Sequence, residues 1–318
     1  MKKIFFRADA NSEIGYGHFI RTLALADMLK HDFECKFFTV SPSDYQVQEM
    51  QRVCPFDVLD EDVKFEQFLR RLNGDEIVVL DNYFFTPEYQ LKIRIKGCKV
   101  VYVGDFPNVN YVADVVISPF LSDRDRLRCA PYTKVCRGLD WALLRKPFLH
   151  SDWSHKIDGT WLISFGGTDY LNMTEKFLEI LDKSQDVRKV TVIVGDAFRF
   201  VDNLCKYSKA TVKMNLSAEE MSHEMEMAKY AILPCSGVCV EALACGCRIV
   251  SGYFVDNQKE SSELWEELGY ILNLGDMTTY SSTDFIQDVN NLLPVKVDFS
   301  RIVTRYINLF RTLAYRNA

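Results

Sequence analysis

A chain of 318 residues, 48% of them hydrophobic, can bury a large core, and its length favours two domains over one. A formal net charge of −6, with no Lys/Arg run longer than a pair, gives no electrostatic footprint for nucleic acid or an anionic membrane. No apolar stretch approaches bilayer length and no signal-peptide pattern opens the chain, so stable membrane insertion is not expected and the expected location is the cytoplasm.

Short β-branched or aromatic runs alternate with helical patterns. The first half predicts strands over 3–7, 35–40, 77–80 and 99–103, and helices over 18–30, 44–51, 63–72 and 87–96. Near-continuous apolar strands in that alternation predict a parallel sheet covered on both faces. The rhythm breaks over 139–160, around Pro147 and two Trp, and restarts at Trp161-Leu-Ile-Ser-Phe165. Strands are then predicted over 161–165, 189–194, 211–213, 230–233 and 248–251, and helices over 174–183, 198–206, 218–227, 237–244, 260–268 and 283–293. A closing helix over 299–315 is placed to pack across the junction. The fold class is α/β, with two Rossmann-like doubly wound domains over 1–145 and 146–318.

The 10 cysteines are scattered through a long chain with a good core, where reduced thiols are expected. Cys235, Cys239, Cys245 and Cys247 cluster, but their spacings match no zinc pattern and read as small buried thiols.

Ligands of open parallel sheets bind beyond the carboxyl ends of the strands, so the loops after strands are the places to search. The first is Gly15-Tyr16-Gly17-His18, before a helix carrying Arg21. Its glycines let the backbone approach a ligand, and the helix N-terminus suits phosphate. That same dipole end disfavours an imidazolium, so His18 reads either as a neutral base or as a residue that merely bonds a neighbouring loop. The second is Ser164-Phe-Gly-Gly-Thr-Asp169, leading through Asn172 into a helix. It makes either an ordinary turn or a diphosphate cradle of backbone N–H groups around Gly166 and Gly167.

The third is Pro234-Cys-Ser-Gly-Val-Cys-Val-Glu241, where Ser236, Gly237 and Val238 open a helix and Glu241 lies one turn in. There Ser236 reads as a phosphate ligand or an N-cap, and Glu241 as an acceptor for a ribose diol or a favourable charge near the helix start. The fourth, Val255-Asp-Asn-Gln258, offers the amides of Asn257 and Gln258 to sugar hydroxyls, or a cap to the next helix. Asp81-Asn82-Tyr83 and Gly104-Asp105 end two first-half strands; either Asp81 or Asp105 can orient His18 or a sugar hydroxyl, or serve as a turn residue.

Together, Arg7-Ala-Asp9 with Gly15-x-Gly-His-x-x-Arg21-x-x-x-Leu-Ala26, Asp81-x-Tyr83, Gly138-x-x-x-x-Leu-Leu-Arg145-x-x-Phe148, Ser164-Phe-Gly-Gly-x-Asp169, Glu241 and Asn257-Gln258 resemble the nucleotide-sugar hydrolases of the pseudaminic acid pathway, a family with related spore-coat polysaccharide proteins. The resemblance implies a glycosyltransferase B architecture, two Rossmann-like domains facing a cleft. It implies hydrolysis of UDP-2,4-diacetamido-2,4,6-trideoxy-β-L-altropyranose to UDP and free sugar, with no cofactor and no metal. His18 matches the family's general base. By analogy Glu241 holds the uridine ribose, Ser236 and Gly237 the diphosphate, and Asn257 and Gln258 the sugar. The chain departs from the family at Ser236-Gly-Val-Cys-Val240, which lacks the Thr hydroxyl of the more usual Gly-Ser-Thr before Glu, at Asn82, where His is common, and at Gly104-Asp105, which replaces paired Asp residues.

The implied reaction is C–O cleavage at the anomeric carbon with inversion, His18 taking a proton from water while glycine turns, helix dipoles and Arg21 stabilise the diphosphate. The rivals are an inverting glycosyltransferase, whose His18 deprotonates an acceptor hydroxyl, and a non-catalytic nucleotide-sugar-binding accessory protein.

Overall fold

The computed structural model describes residues 1–11, 15–104, 109–121, 127–167, 169–195, 198–255 and 258–315. They divide into two compact units, Met1–Arg145 with Phe299–Ala318, and Lys146–Asp298.

Unit 1 runs β1 (Lys3–Arg7), α1 (Gly17–Leu29), β2 (Glu34–Val40), α2 (Asp44–Val53), β3 (Phe56–Leu59), α3 (Lys64–Arg71), β4 (Ile77–Leu80), α4 (Pro87–Ile95) and β5 (Lys99–Val103). The short strands β6 (Asn110–Tyr111), β7 (Val115–Ser118), β8 (Arg128–Cys129) and β9 (Lys134–Arg137) follow. Seven strands form a parallel sheet in the order β3-β2-β1-β4-β5-β7-β9, and β6 pairs with β8 separately.

The period-2 geometry of a strand explains the apolar run in β1: neighbouring residues serve opposite faces, so both must be apolar. Phe5 meets Phe38 on one face with ring centroids 5.0 Å apart, while Phe6 stacks near Phe37 on the other, and Phe37 in turn meets Phe19 of α1 at 5.5 Å. Helix starts are set by side-chain caps, a Ser43–Gln46 capping box for α2 and Thr86 ahead of Pro87 for α4.

Unit 2 runs β10 (Ile157–Ile163), α5 (Met173–Lys183), β11 (Lys189–Val194), α6 (Val201–Leu204), β12 (Ala210–Met214), α7 (Ala218–Met227), β13 (Ala228–Ile232), α8 (Gly237–Ala244), β14 (Arg248–Tyr253), α9 (Lys259–Glu267), β15 (Ile271–Asp276) and α10 (Phe285–Asp288). Its six strands are again all parallel, in the order β12-β11-β10-β13-β14-β15. Trp161 stacks on Tyr230 at 4.7 Å and anchors a core shared with Phe177 and Phe285. The chain then returns to unit 1 as α11 (Ile302–Tyr315), where the buried Tyr306 donates its hydroxyl to the Trp141 carbonyl at 2.6 Å and Phe310 packs on Phe33.

Three expectations change. The helix expected over 198–206 contracts to Val201–Leu204: Phe198 and Phe200 both pack against the core, and residues two apart cannot share one face of an α-helix. The helix expected over 283–293 is the short α10 followed by a 3₁₀ turn at Val289–Asn291. The strands β3, β7, β9 and β15 and the β6–β8 pair lie outside the predicted set; most are four residues or fewer, too short to carry a period. Among the described residues, no helix is long and apolar enough to cross a membrane.

Candidate active site

In a doubly wound sheet the ligand crevice opens where the chain leaves two neighbouring strands in opposite directions. In unit 1 that point lies between β1 and β4, which pair from Ile4↔Ile77 to Arg7↔Leu80. The segments leaving those two strands carry Asp9, the Gly15–His18 turn and Asp81–Tyr83.

Residues three and four apart share one face of a helix, and α1 uses this spacing to aim His18, Arg21 and Thr22 at one carboxylate. Asp81 is fully buried, and each of its oxygens receives two donors. At Oδ1 these are His18 Nδ1 at 2.7 Å and Arg21 Nη2 at 2.6 Å; at Oδ2 they are Arg21 Nε at 2.6 Å and Thr22 Oγ1 at 2.8 Å. Burial alone raises a carboxyl, but the charges of Arg21 and His18 and their hydrogen bonds outweigh it and hold Asp81 at about 2.

An ionised carboxylate only accepts, so Nδ1 carries the hydrogen. Arg21 Nη2, 3.2 Å from Nδ1, is then a second donor to the same oxygen rather than a partner of the imidazole. In its uncharged form the ring is thereby confined to one tautomer, with Nε2 as the atom left to accept a proton. Tyr83, 53% exposed, stands edge-on to the His18 ring at 4.5 Å between centroids.

A second buried cluster ties the same two loops together. Arg7 grips Asp9 with both arms of its guanidinium, Nη1 to Oδ1 and Nη2 to Oδ2, and the Val40 N–H donates to Asp9 Oδ1 at 2.9 Å. The Asn82 side chain clasps the Asp9 backbone from both sides, accepting from its N–H at 2.7 Å and donating to its carbonyl at 3.2 Å. Asn82 follows Asp81 directly, so the clasp sets where the carboxylate begins. Sequence reasoning missed this role for Asn82, and missed Thr22, which its spacing from His18 signals.

In unit 2 the corresponding point lies between β10 and β13. Gly166 leaves β10 with φ +85°, and a side chain there, or at Gly237, would meet nothing within 4 Å. Gly167 abuts the backbone of Gly195, at the end of β11, so closely that a Cβ on Gly195 would come within 2.6 Å of the Gly167 Cα. Asp169 and Asn172 both have positive φ, at 34° and 52°. The structure spends the Asp169 carboxylate on the start of α5: it accepts from the Met173 N–H at 2.9 Å and the Thr174 N–H at 2.8 Å, while burial pushes the carboxyl up. Asn172 donates to Glu175 at 2.6 Å.

After β13, Ser236 sits at the N-cap of α8 without using its side chain as a cap. Gly237 and Val238 begin the helix, where the first amides have no carbonyl one turn back. Glu241 is buried in the next turn. Gln258, at the start of α9, accepts from the Phe254 N–H at 3.3 Å. Asp105 and Asn257 lie outside the described residues. Gly15 has φ +80° and, like Gly17, borders open space.

All ten cysteines are free; burial pushes Cys239 up to about 11 and Cys245 to about 12. Lys156 caps the nearby strand and helix ends, donating to the Met225 and Ala228 carbonyls at 2.6 and 2.7 Å. Among the described residues, no three His, Cys, Asp or Glu side chains converge to hold a metal ion.

No family model matches the chain. An uncharacterized protein of Methanocaldococcus jannaschii is 28% identical over 278 residues, which are 81% of this chain and 57% of that protein. This chain thus spans little more than half the length of that relative. The UDP-2,4-diacetamido-2,4,6-trideoxy-beta-L-altropyranose hydrolase of Campylobacter jejuni is 23% identical over 281 residues, 84% of this chain and 97% of that protein. Among solved structures, Acinetobacter baumannii MurG aligns over 98% of this chain and all of its own at TM-score 0.63 and 14% identity. Staphylococcus aureus MnaA with UDP aligns over 98% and 96% at 0.64 and 12%. Anabaena HepE with UDP aligns over 99% and 97% at 0.59 and 13%. At these identities the likeness is one of fold, the glycosyltransferase B fold.

Proposed function

We propose that this protein hydrolyses a UDP-activated diacetamido-trideoxy sugar to UDP and the free sugar, within nonulosonic acid or surface polysaccharide synthesis. The observation that carries the reading is His18, whose Nδ1 is tied to the buried Asp81 carboxylate. That pairing is what a general base needs: a fixed tautomer, a basic Nε2, and a buried anion to balance the imidazolium that forms. The glycine turn and helix start after β10 and β13 support a diphosphate site in unit 2. The name of the C. jejuni relative, and the bound UDP in two structures of the same fold, support the substrate class.

In this reading water attacks the anomeric carbon on the face opposite UDP. His18 Nε2 takes the water proton, the C–O bond to the diphosphate breaks, and the electron pair leaves with UDP. The first amides of α8, at Gly237 and Val238, with the Ser236 hydroxyl and the Gly166–Gly167 backbone, receive the diphosphate charge. Glu241 accepts from the ribose diol, and Asn257 and Gln258 meet the sugar. Asp169 contributes by holding the start of α5 beside this cradle.

The test is to incubate the protein with a panel of UDP-linked diacetamido-trideoxy sugars and follow UDP release by NMR, with wild type and His18→Ala. Release by wild type and its loss in the variant is the expected result. No release from any substrate sinks the hydrolase reading, and release only on addition of a sugar acceptor replaces it by transfer.

A further inference from the structure

Arg21 opens as a natural diphosphate ligand, a cation one turn into a helix that begins with a glycine turn. Its guanidinium geometry argues otherwise. Nε and Nη2 form one edge of the fork, and both are spent on Asp81 at 2.6 Å, one on each oxygen. A side-on, two-point grip fixes the plane of a carboxylate, which a single-point cation does not do. The grip has a consequence for His18: with the carboxylate plane fixed, Oδ1 stands 2.7 Å from Nδ1 and Thr22 closes Oδ2.

We infer that Arg21 is a positioning residue for the base, acting on His18 through Asp81, and is not a ligand of the substrate diphosphate. The inference rests on the reading of His18 as the base. In that role Arg21 supplies no atom to the reaction. It holds Asp81 ionised and unrotated, so that the imidazole presents one tautomer in one orientation. Lysine at this position keeps the charge and loses the two-point grip, so it restores the function only in part. The spacing supports the assignment: Arg21 and Thr22 stand three and four residues beyond His18, and all three converge on the same carboxylate.

The experiment measures Arg21→Gln and Arg21→Lys against wild type by kcat and KM for UDP release, UDP affinity by calorimetry, and the His18 ring nitrogens by long-range ¹H–¹⁵N spectra. The expected result for Arg21→Gln is a fall in kcat on the order of a hundredfold, with KM and UDP affinity within about twofold of wild type. Arg21→Lys recovers part of that loss. The ring nitrogens show a single Nδ1–H form in wild type and an exchange-averaged ring in Arg21→Gln.

An Arg21→Gln variant that binds UDP about tenfold more weakly with kcat kept makes Arg21 a diphosphate ligand and overturns the inference. So does an unchanged kcat. Wild type that neither binds UDP nor releases it from any substrate overturns the hydrolase reading instead. The ring-nitrogen spectra still decide the role of Arg21, and identical spectra in wild type and variant reject it. If Arg21→Gln does not fold, Arg21→Lys carries the same comparison.

Discussion

His18 and Thr22, one helical turn apart on α1, bind opposite oxygens of the same carboxylate, Nδ1 to Asp81 Oδ1 at 2.7 Å and Oγ1 to Oδ2 at 2.8 Å. Replacing Asp81 by Asn puts an amide where only acceptors fit, which favours the wrong tautomer of His18. We expect Asp81→Asn to lower kcat by roughly 10³- to 10⁴-fold while UDP affinity is kept, read by single-turnover UDP release and calorimetry. A variant within tenfold of wild type would show that the pairing is structural.

Asn82 carries no reacting group, yet it bonds the Asp9 backbone in both directions. Asn82→Ala leaves a buried N–H and a buried carbonyl without partners, so a loss of about 1–3 kcal/mol is expected in urea unfolding. Activity should fall together with stability, because the clasp locates the neighbouring Asp81.

The acid stability of the fold should carry the mark of Asp81. Its carboxyl sits at about 2 in the folded protein against an ordinary 3.8, so the unfolded chain binds more protons between those values. The stabilisation is complete above the ordinary value and is lost as pH falls through the folded one, about 2 kcal/mol in all. Unfolding midpoints of wild type and Asp81→Asn taken from pH 5 down to pH 2 should converge; parallel curves refute the link.

Two glycines in unit 2 separate strain from obstruction. Gly166→Ala places a side chain at φ +85° in open space and should cost roughly 1–2 kcal/mol of stability, the strain of that conformation. In Gly195→Ala the new methyl meets the Gly167 backbone, so the loop after β10 must shift, and UDP affinity should fall by roughly tenfold. Calorimetry on both variants checks this. Unchanged affinity in Gly195→Ala would remove the Gly166–Gly167 turn from the diphosphate site.

Thiol titration of the native protein should find about one fast-reacting group, Cys205, which is exposed. Burial pushes up Cys35, Cys54, Cys98, Cys136, Cys235, Cys239, Cys245 and Cys247. Reaction of several thiols before unfolding would contradict the burial of these eight side chains.

The sequence makes the loops after strands visible because glycine turns punctuate apolar runs. It cannot rank Asp81 against Asp105, since each follows a buried strand. Strand order decides the matter: β4 lies beside β1 in the sheet and β5 does not, and that adjacency is a long-range property with no local pattern. Asp169 is a similar case. Read alone, it is as good a ligand as a cap, and only the folded path, which brings the Met173 and Thr174 amides to its oxygens, gives it the second task. Thr22 was legible in principle from its spacing, whereas the Asn82 clasp spans 73 positions and was not.

The return of α11 to unit 1 orders the birth of the protein. Trp141 and Phe33 are covered by Tyr306 and Phe310, residues that the ribosome delivers only after the whole of unit 2. Unit 2 is continuous in the chain and can close on itself as it emerges. The unit that holds His18 must wait, part-finished and with aromatic surface bare, until the later segment arrives.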